Sequence, residues 1–202
     1  INHLAQAFLS NAEPRKALVA LGSNLPVEGQ APRVVLDRAI AQLRDYVTAQ
    51  GGGDFKLSQL YRTPVFPAGS GPDFVNAAIS FDWPLDPNSL LEKLHAIEAD
   101  FGRSRLQRWA ARGLDLDLLG LGNLVLPDPD TWQVWANLST KEAQSRAPDQ
   151  LILPHPRMAE RGFVLIPLCD VAPNWCHPIL GETVSQLRAK LPLEECREIN
   201  PL

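Results

Sequence analysis

Val75-Asn76-Ala77-Ala78-Ile79-Ser80-Phe81-Asp82-Trp83 alternates in chemistry from one residue to the next. Val75, Ala77, Ile79, Phe81 and Trp83 fall on one side, and Asn76, Ala78, Ser80 and Asp82 on the other. A period of two with one apolar side is the pattern of a strand that buries one face. Asp86-Pro87 follows at once. It pairs a capping acceptor with a proline at the first helical position, where the missing N–H costs nothing. Leu90, Leu94, Ile97 and Phe101 then recur at helical spacing, and Gly102 ends the helix.

The same reading extends in both directions. Ala17 to Leu21 is a short apolar run that stops at Gly22-Ser23-Asn24, as a strand entering a turn does. Leu36, Ile40, Leu43 and Val47 form a helical stripe that Gly51-Gly52-Gly53 terminates. A second strand is predicted from about Phe55 to Arg62, followed by a Pro/Gly-rich loop from Pro64 to Pro72. Beyond Gly102 comes a basic stretch, then a strand from Leu114 to Leu121. Leu124 to Gln150 is polar and contains proline, without strong periodicity. Pro154 to Ala172 is compact and apolar, and Thr183 to Leu191 reads as a last short helix. The order is strand, helix, strand, strand, helix, strand. It predicts an α+β fold, a ferredoxin-like sandwich with a mainly antiparallel sheet and helices packed on it. Residues 1–16 are expected to be an N-terminal extension. Residues 17–202 are expected to be a single domain with an insert at about 124–150.

Composition narrows the function classes. Across 202 residues, 19 Lys and Arg stand against 23 Asp and Glu, for a formal net charge of −4. A general nucleic-acid binder needs clustered positive charge over its surface, so that class is disfavoured. No apolar run approaches the roughly 18 residues of a membrane helix, and the start has no signal-peptide pattern. The three cysteines, Cys169, Cys176 and Cys196, show neither disulfide-framework nor zinc-site spacing. A cytoplasmic enzyme with reduced thiols is expected, with a monomer as the expected state.

The densest chemistry lies in Arg108-Trp109-Ala110-Ala111-Arg112-Gly113-Leu114-Asp115-Leu116-Asp117-Leu118-Leu119. Asp115 and Asp117 sit two apart on a predicted strand, so both carboxylates share one face, about 6.5 to 7 Å apart along the chain. Taken alone, two such acids are more readily a solvated strand edge than a metal site. Arg103, Arg105, Arg108 and Arg112 lead directly into them with no acid interposed. Carboxylates suited to a hard divalent cation beside an arginine cluster fit a metal-bound polyphosphate. Two further groups are His155 and Arg157 with Arg161, which can meet phosphate, and Asn76 beside Phe74. Asn76 carries donors and an acceptor complementary to an amide-like heterocycle edge.

These motifs resemble the 6-hydroxymethyl-7,8-dihydropterin pyrophosphokinases of folate biosynthesis. The similarity runs in order through Ala20-Leu21-Gly22-Ser23-Asn24-Leu25, Tyr61-Arg62-Thr63-Pro64 and Asp73-Phe74-Val75-Asn76-Ala77-Ala78. It continues through Glu98 with Gly102-Arg103, Arg108 to Leu119, Gly122-Asn123, Pro154-His155-Pro156-Arg157 and Arg161-Gly162-Phe163. The resemblance implies transfer of the terminal diphosphate of ATP to the pterin hydroxymethyl oxygen, leaving AMP. It implies two Mg2+ ions on Asp115 and Asp117, with Arg103 and Arg112 as catalytic partners. The ATP side would comprise Glu98, Arg103, Arg105, Trp109, Arg112, Leu118, His155 and Arg161. The pterin side would comprise Gly22, Thr63, Pro64, Phe66, Phe74, Asn76 and Phe163, with the ring stacked between Phe74 and Phe163. The loops Pro64 to Pro72 and Gly102 to Gly113 would be lids that exclude water.

The chain departs from the family pattern in places. Ala110-Ala111 stands where members often have Gly-Pro, the arginine loop is one residue shorter, and His95 occupies a position where a glutamine is expected near the nucleotide. The segment Leu124 to Gln150 carries about twenty extra residues, including Trp132 and Trp135. Those tryptophans are expected to pack on the domain, the alternative being a partner surface. Two other functions compete: a related Mg-dependent transferase with a different acceptor, and a ferredoxin-like binding module without chemistry.

Overall fold

The computed structural model describes residues 13–65, 69–102 and 113–202. Their centre is an antiparallel sheet built from β1 (Arg15–Ser23), β2 (Gly53–Leu57), β3 (Tyr61–Thr63), β4 (Phe74–Trp83), β5 (Asp115–Leu121) and β6 (Asn200–Pro201). The order is β5-β1-β4-β3-β6, with β2 also pairing β4. β1 therefore sits between β4 and β5, with Val19 opposite Ile79 on one side and Leu118 on the other. β1 and β2 each run antiparallel to β4, so they are parallel to each other and joined across it by a helical crossover. That is the ferredoxin-like arrangement expected from the element order.

Two helices cover one face. α1 (Pro32–Ala49) buries Leu36, Ile40, Leu43 and Val47, together with Val35 and Ala39. α2 (Pro87–Asp100) starts as its sequence requires: the Asp86 side chain accepts from the Asn88 and Ser89 amides, with Pro87 at the first position. It buries Leu90, Leu94 and Ile97. These side chains meet Val19, Leu21, Ile79, Phe81, Trp83, Leu116 and Leu118 from the sheet in one core.

The opposite face is covered only in part. α5 (Gly162–Val171) and α6 (Val184–Ala189) pack Leu165, Leu168, Val184 and Leu187 on Leu18, Ala20, Ala78 and Leu119. Ser80 Oγ donates to the Val171 carbonyl at 3.2 Å, which places the C-terminal end of α5 over the Ser80 level of β4. The remaining helices are α3 (Pro129–Ala136), α4 (Thr140–Ser145) and α7 (Leu193–Glu198), with a 3-10 turn at Met158–Glu160.

Three expectations change. β1 begins at Arg15, earlier than Ala17. The single strand predicted from Phe55 to Arg62 is two, because Ser58 Oγ takes the Ala78 amide and the Gln59 amide turns to Asp170. The Ser58 amide still reaches the Ala78 carbonyl at 2.9 Å, but the return bond goes to its side chain, and the strand breaks there. The aperiodic segment Leu124 to Gln150 contains α3 and α4, each set by local capping. Asp128 caps α3, and Ser139 with Glu142 forms a capping box for α4.

Candidate active site

In β5 the aspartates alternate with buried leucines. Leu116 and Leu118 enter the core at 3% and 4% exposure, while Asp115 and Asp117 stand half-buried on the partly covered face. Register then sets their neighbours. Asp115 lies opposite Gly22 and Asp117 opposite Ala20, while Gly22 in turn lies opposite Asn76. Asp115, Gly22 and Asn76 are thus one rank across three strands, spanning about 10 Å at the usual strand spacing. Within this rank Gly22 and Asn76 are buried and Asp115 is half-buried. From its anchor near Ser80, α5 rises about 1.5 Å per residue along the face. Its ten residues span about 15 Å, and its first amide, Gly162, donates to the Glu195 carboxylate at 2.6 Å.

The segment before α5 brings cationic and imidazole groups to the aspartates. The His155 amide donates to the Leu119 carbonyl at 2.7 Å, tying this segment to the end of β5. His155 Nδ1 accepts from the Arg157 amide at 3.1 Å. Burial, and then the positive charge of Arg161, pushes His155 down to about 3. The ring is therefore neutral with its proton on Nε2, a donor. Arg161 feels burial, which lowers its pKa, opposed chiefly by Asp117 and more weakly by Asp115. Its guanidinium lies 5.7 Å from the centre of the Phe163 ring. Arg157 pairs with Glu160 and is only partly available.

At the other end of the rank Asn76 is 6% exposed, and its Nδ2 donates to Thr63 Oγ1 at 2.5 Å. One donor is thus used to orient the amide, leaving Oδ1 and the second N–H. Gly22 permits that placement, since a Cβ there would lie 2.7 Å from Asn76 Oδ1. Phe74 shares the face and is partly exposed, Phe163 is 39% exposed, and Pro64 is exposed. Asn24, missed as a site residue, donates to the Pro72 carbonyl at 3.3 Å and so tethers the Pro/Gly-rich loop.

A cavity of about 850 Å³ opens beside Asp117, and Asn76 is not among its lining residues. Asp117, Leu118, His155 and Arg161 line it, with Asn88, Leu91 and His95 from α2. Glu98, which the resemblance puts on the ATP side, does not line this cavity. It is 1% exposed and its carboxylate accepts the Leu116 amide at 2.8 Å, so it holds β5 from within the core.

Three comparisons bear on this geometry. The model of the 7,8-dihydro-6-hydroxymethylpterin-pyrophosphokinase family matches residues 18–173. The chain belongs to that family. It is a pyrophosphokinase, a transferase. The 2-amino-4-hydroxy-6-hydroxymethyldihydropteridine pyrophosphokinase of Synechocystis is 35% identical over 171 residues, covering 85% of this chain and 73% of the relative. The Pseudomonas aeruginosa protein of the same name is 33% identical over 180 residues, covering 89% and 94%. A solved Plasmodium falciparum HPPK-DHPS chain shares the fold with a TM-score of 0.55 at 16% identity. It is matched over 92% of this chain, which spans 46% of that one.

In this pyrophosphokinase the face gathers Asp115, Asp117, His155 and Arg161 at one end, and Gly22, Thr63, Phe74 and Asn76 at the other, while Leu118 lines the cavity from the core side of β5. Arg103, Arg105, Trp109, Arg112 and Phe66, all expected at the site, lie outside the described residues. Among the described residues no helix is long and apolar enough to cross a membrane.

Proposed function

We propose that the protein transfers the terminal diphosphate of ATP to the hydroxymethyl oxygen of 6-hydroxymethyl-7,8-dihydropterin, releasing AMP, in folate biosynthesis. The observation that carries this reading is the rank Asp115, Gly22, Asn76. It puts the Asp115 carboxylate and a heterocycle-reading amide on one face of the sheet, about 10 Å apart. That span suits a flat ring at one end and its reacting substituent at the other.

The donor set fits Mg2+, which takes oxygen ligands and is commonly held by one or two carboxylates plus substrate phosphates. Asp115 and Asp117 would hold two such ions, which when bound supply positive charge to the phosphate oxygens. Arg161 and the Nε2–H of His155 orient the phosphates from the cavity side. Asn76 reads the pterin edge, and Phe74 and Phe163 bracket its ring. Arg103 and Arg112 add positive charge, which in such transfers does most of the work together with positioning.

The test mixes protein, MgATP and 6-hydroxymethyl-7,8-dihydropterin and follows AMP by chromatography. AMP formed in step with pterin diphosphate supports the reading. AMP formed only with another alcohol assigns the protein to a different acceptor.

A further inference from the structure

We infer that the segment carrying α3 and α4 is part of nucleotide recognition, with Trp135 and Arg146 forming a wall that binds the nucleoside end of ATP. The inference rests on the ATP reading above and adds residues that the motif pattern does not supply.

The cavity is chemically divided. At the β5 end it is lined by Asp117, His155, Arg157 and Arg161. Elsewhere Leu91, Leu151, Ile152 and Trp135 supply apolar and planar surface, among a few polar groups that include Asn88, His95, Arg146, Asp149 and Gln150. A nucleotide has the same polarity, with charge on the phosphates and a flat heterocycle at the far end. Sites for such ligands are mainly apolar with a few placed polar groups.

Trp135 reaches that wall because its neighbour is fixed. Trp132 is 3% exposed, donates from Nε1 to the Pro154 carbonyl at 2.7 Å, and meets the His177 ring edge-on at 5.4 Å. Leu126 and Leu153 exchange backbone hydrogen bonds at 2.8 and 3.1 Å, closing the base of the segment on the stretch that leads to His155. Trp135 is three residues further along α3 and so lies on nearly the same side of the helix. It is half-buried and lines the cavity. The Arg146 guanidinium sits 5.4 Å from the Trp135 ring centre and also lines the cavity. Stacking on the indole holds its planar fork in one orientation, with N–H donors left for base or ribose acceptors.

The test measures binding of Mg2+ with α,β-methylene-ATP, and separately with inorganic tripolyphosphate, by calorimetry. The proteins are the wild type, Trp135→Ala, Trp135→Phe, Arg146→Ala and Val134→Ala. Val134 is 56% exposed and lies outside the cavity lining. Trp135→Ala and Arg146→Ala are expected to weaken the ATP analogue about tenfold, a common loss when base stacking is removed. Tripolyphosphate should bind as in the wild type, and Val134→Ala should change neither. Trp135→Phe keeps a ring and should lose less, which also guards against a fold defect in the alanine variant. Equal affinity of all proteins for the analogue overturns the inference, as does a parallel loss for tripolyphosphate. If the wild type fails to bind the analogue at all, the ATP reading falls and takes the inference with it.

Discussion

Gly22 and Asn76 face each other across β1 and β4 so closely that the smallest side chain on Gly22 would collide with the Asn76 carbonyl oxygen. A Cβ there would lie 2.7 Å from Oδ1, and Asn76 is held from the other side by Thr63. Gly22→Ala should therefore displace the amide that reads the pterin. Overpacking of this kind costs about 1–3 kcal/mol. The expected result is a KM for the pterin raised at least about tenfold, with KM for ATP little changed. Steady-state kinetics with each substrate varied in turn would show it. Equal increases in both would remove Asn76 from pterin recognition.

Asp117 stands half-buried on the partly covered face and belongs to no apolar cluster. Asp117→Ala should lower kcat by at least about a hundredfold, the scale seen when a preorganised electrostatic group is lost. Thermal unfolding should stay close to wild type, because the packing of β5 rests on Leu116 and Leu118. Unfolding with undiminished activity per folded molecule would contradict a metal-holding role.

Glu98 acts on the site through the backbone. Its carboxylate takes the Leu116 amide, between the two aspartates, at 1% exposure. Glu98→Ala leaves that amide buried and unsatisfied, which costs about 1–3 kcal/mol. Glu98→Gln keeps an acceptor and should cost less. Urea denaturation would measure both, and an unchanged midpoint for the alanine variant would rule out the anchoring role.

His177 predicts how stability depends on pH. It is fully buried, its Nδ1 accepts from the Ile179 and Leu180 amides, and two tryptophan rings meet it edge-on. Burial, only partly offset by Glu182, pushes it down to about 4. The unfolded chain protonates this ring near its ordinary value of about 6.5, while the folded chain does so only near 4. Between those limits the unfolded state holds more protons, so stability falls as pH falls. His155, also held low, contributes with the same sign. The drop in melting temperature from pH 7 to pH 5 should be smaller in His177→Gln than in the wild type, even though the variant melts lower at pH 7. An equal drop in both proteins would show that His177 is not responsible.

Much of this architecture was legible from periodicity alone. The alternation through Val75 to Trp83, the helix start at Asp86-Pro87 and the stripe from Leu36 to Val47 each express a local rule, so each appears in the structure near its predicted place. The placement of Asp115 and Asp117 on one face was equally local, since a strand repeats every two residues. The break at Ser58 was not, because the Ala78 and Asp170 groups that cause it are distant in sequence. The role of Glu98 depends on a partner from another strand, and the closeness of Gly22 to Asn76 depends on strand register.

By itself, the sequence determined the family, the α+β class and which residue types carry the chemistry. These follow from patterns whose meaning is contained within a few neighbouring residues. Only the tertiary structure decided that Asp115, Gly22 and Asn76 form one rank and that α5 is anchored over the Ser80 level of β4. Only it decided that Trp135 and Arg146 line the cavity shared with His155. Those relations arise where separate strands and loops come together, and hydrogen bonds and packing set the distances between them.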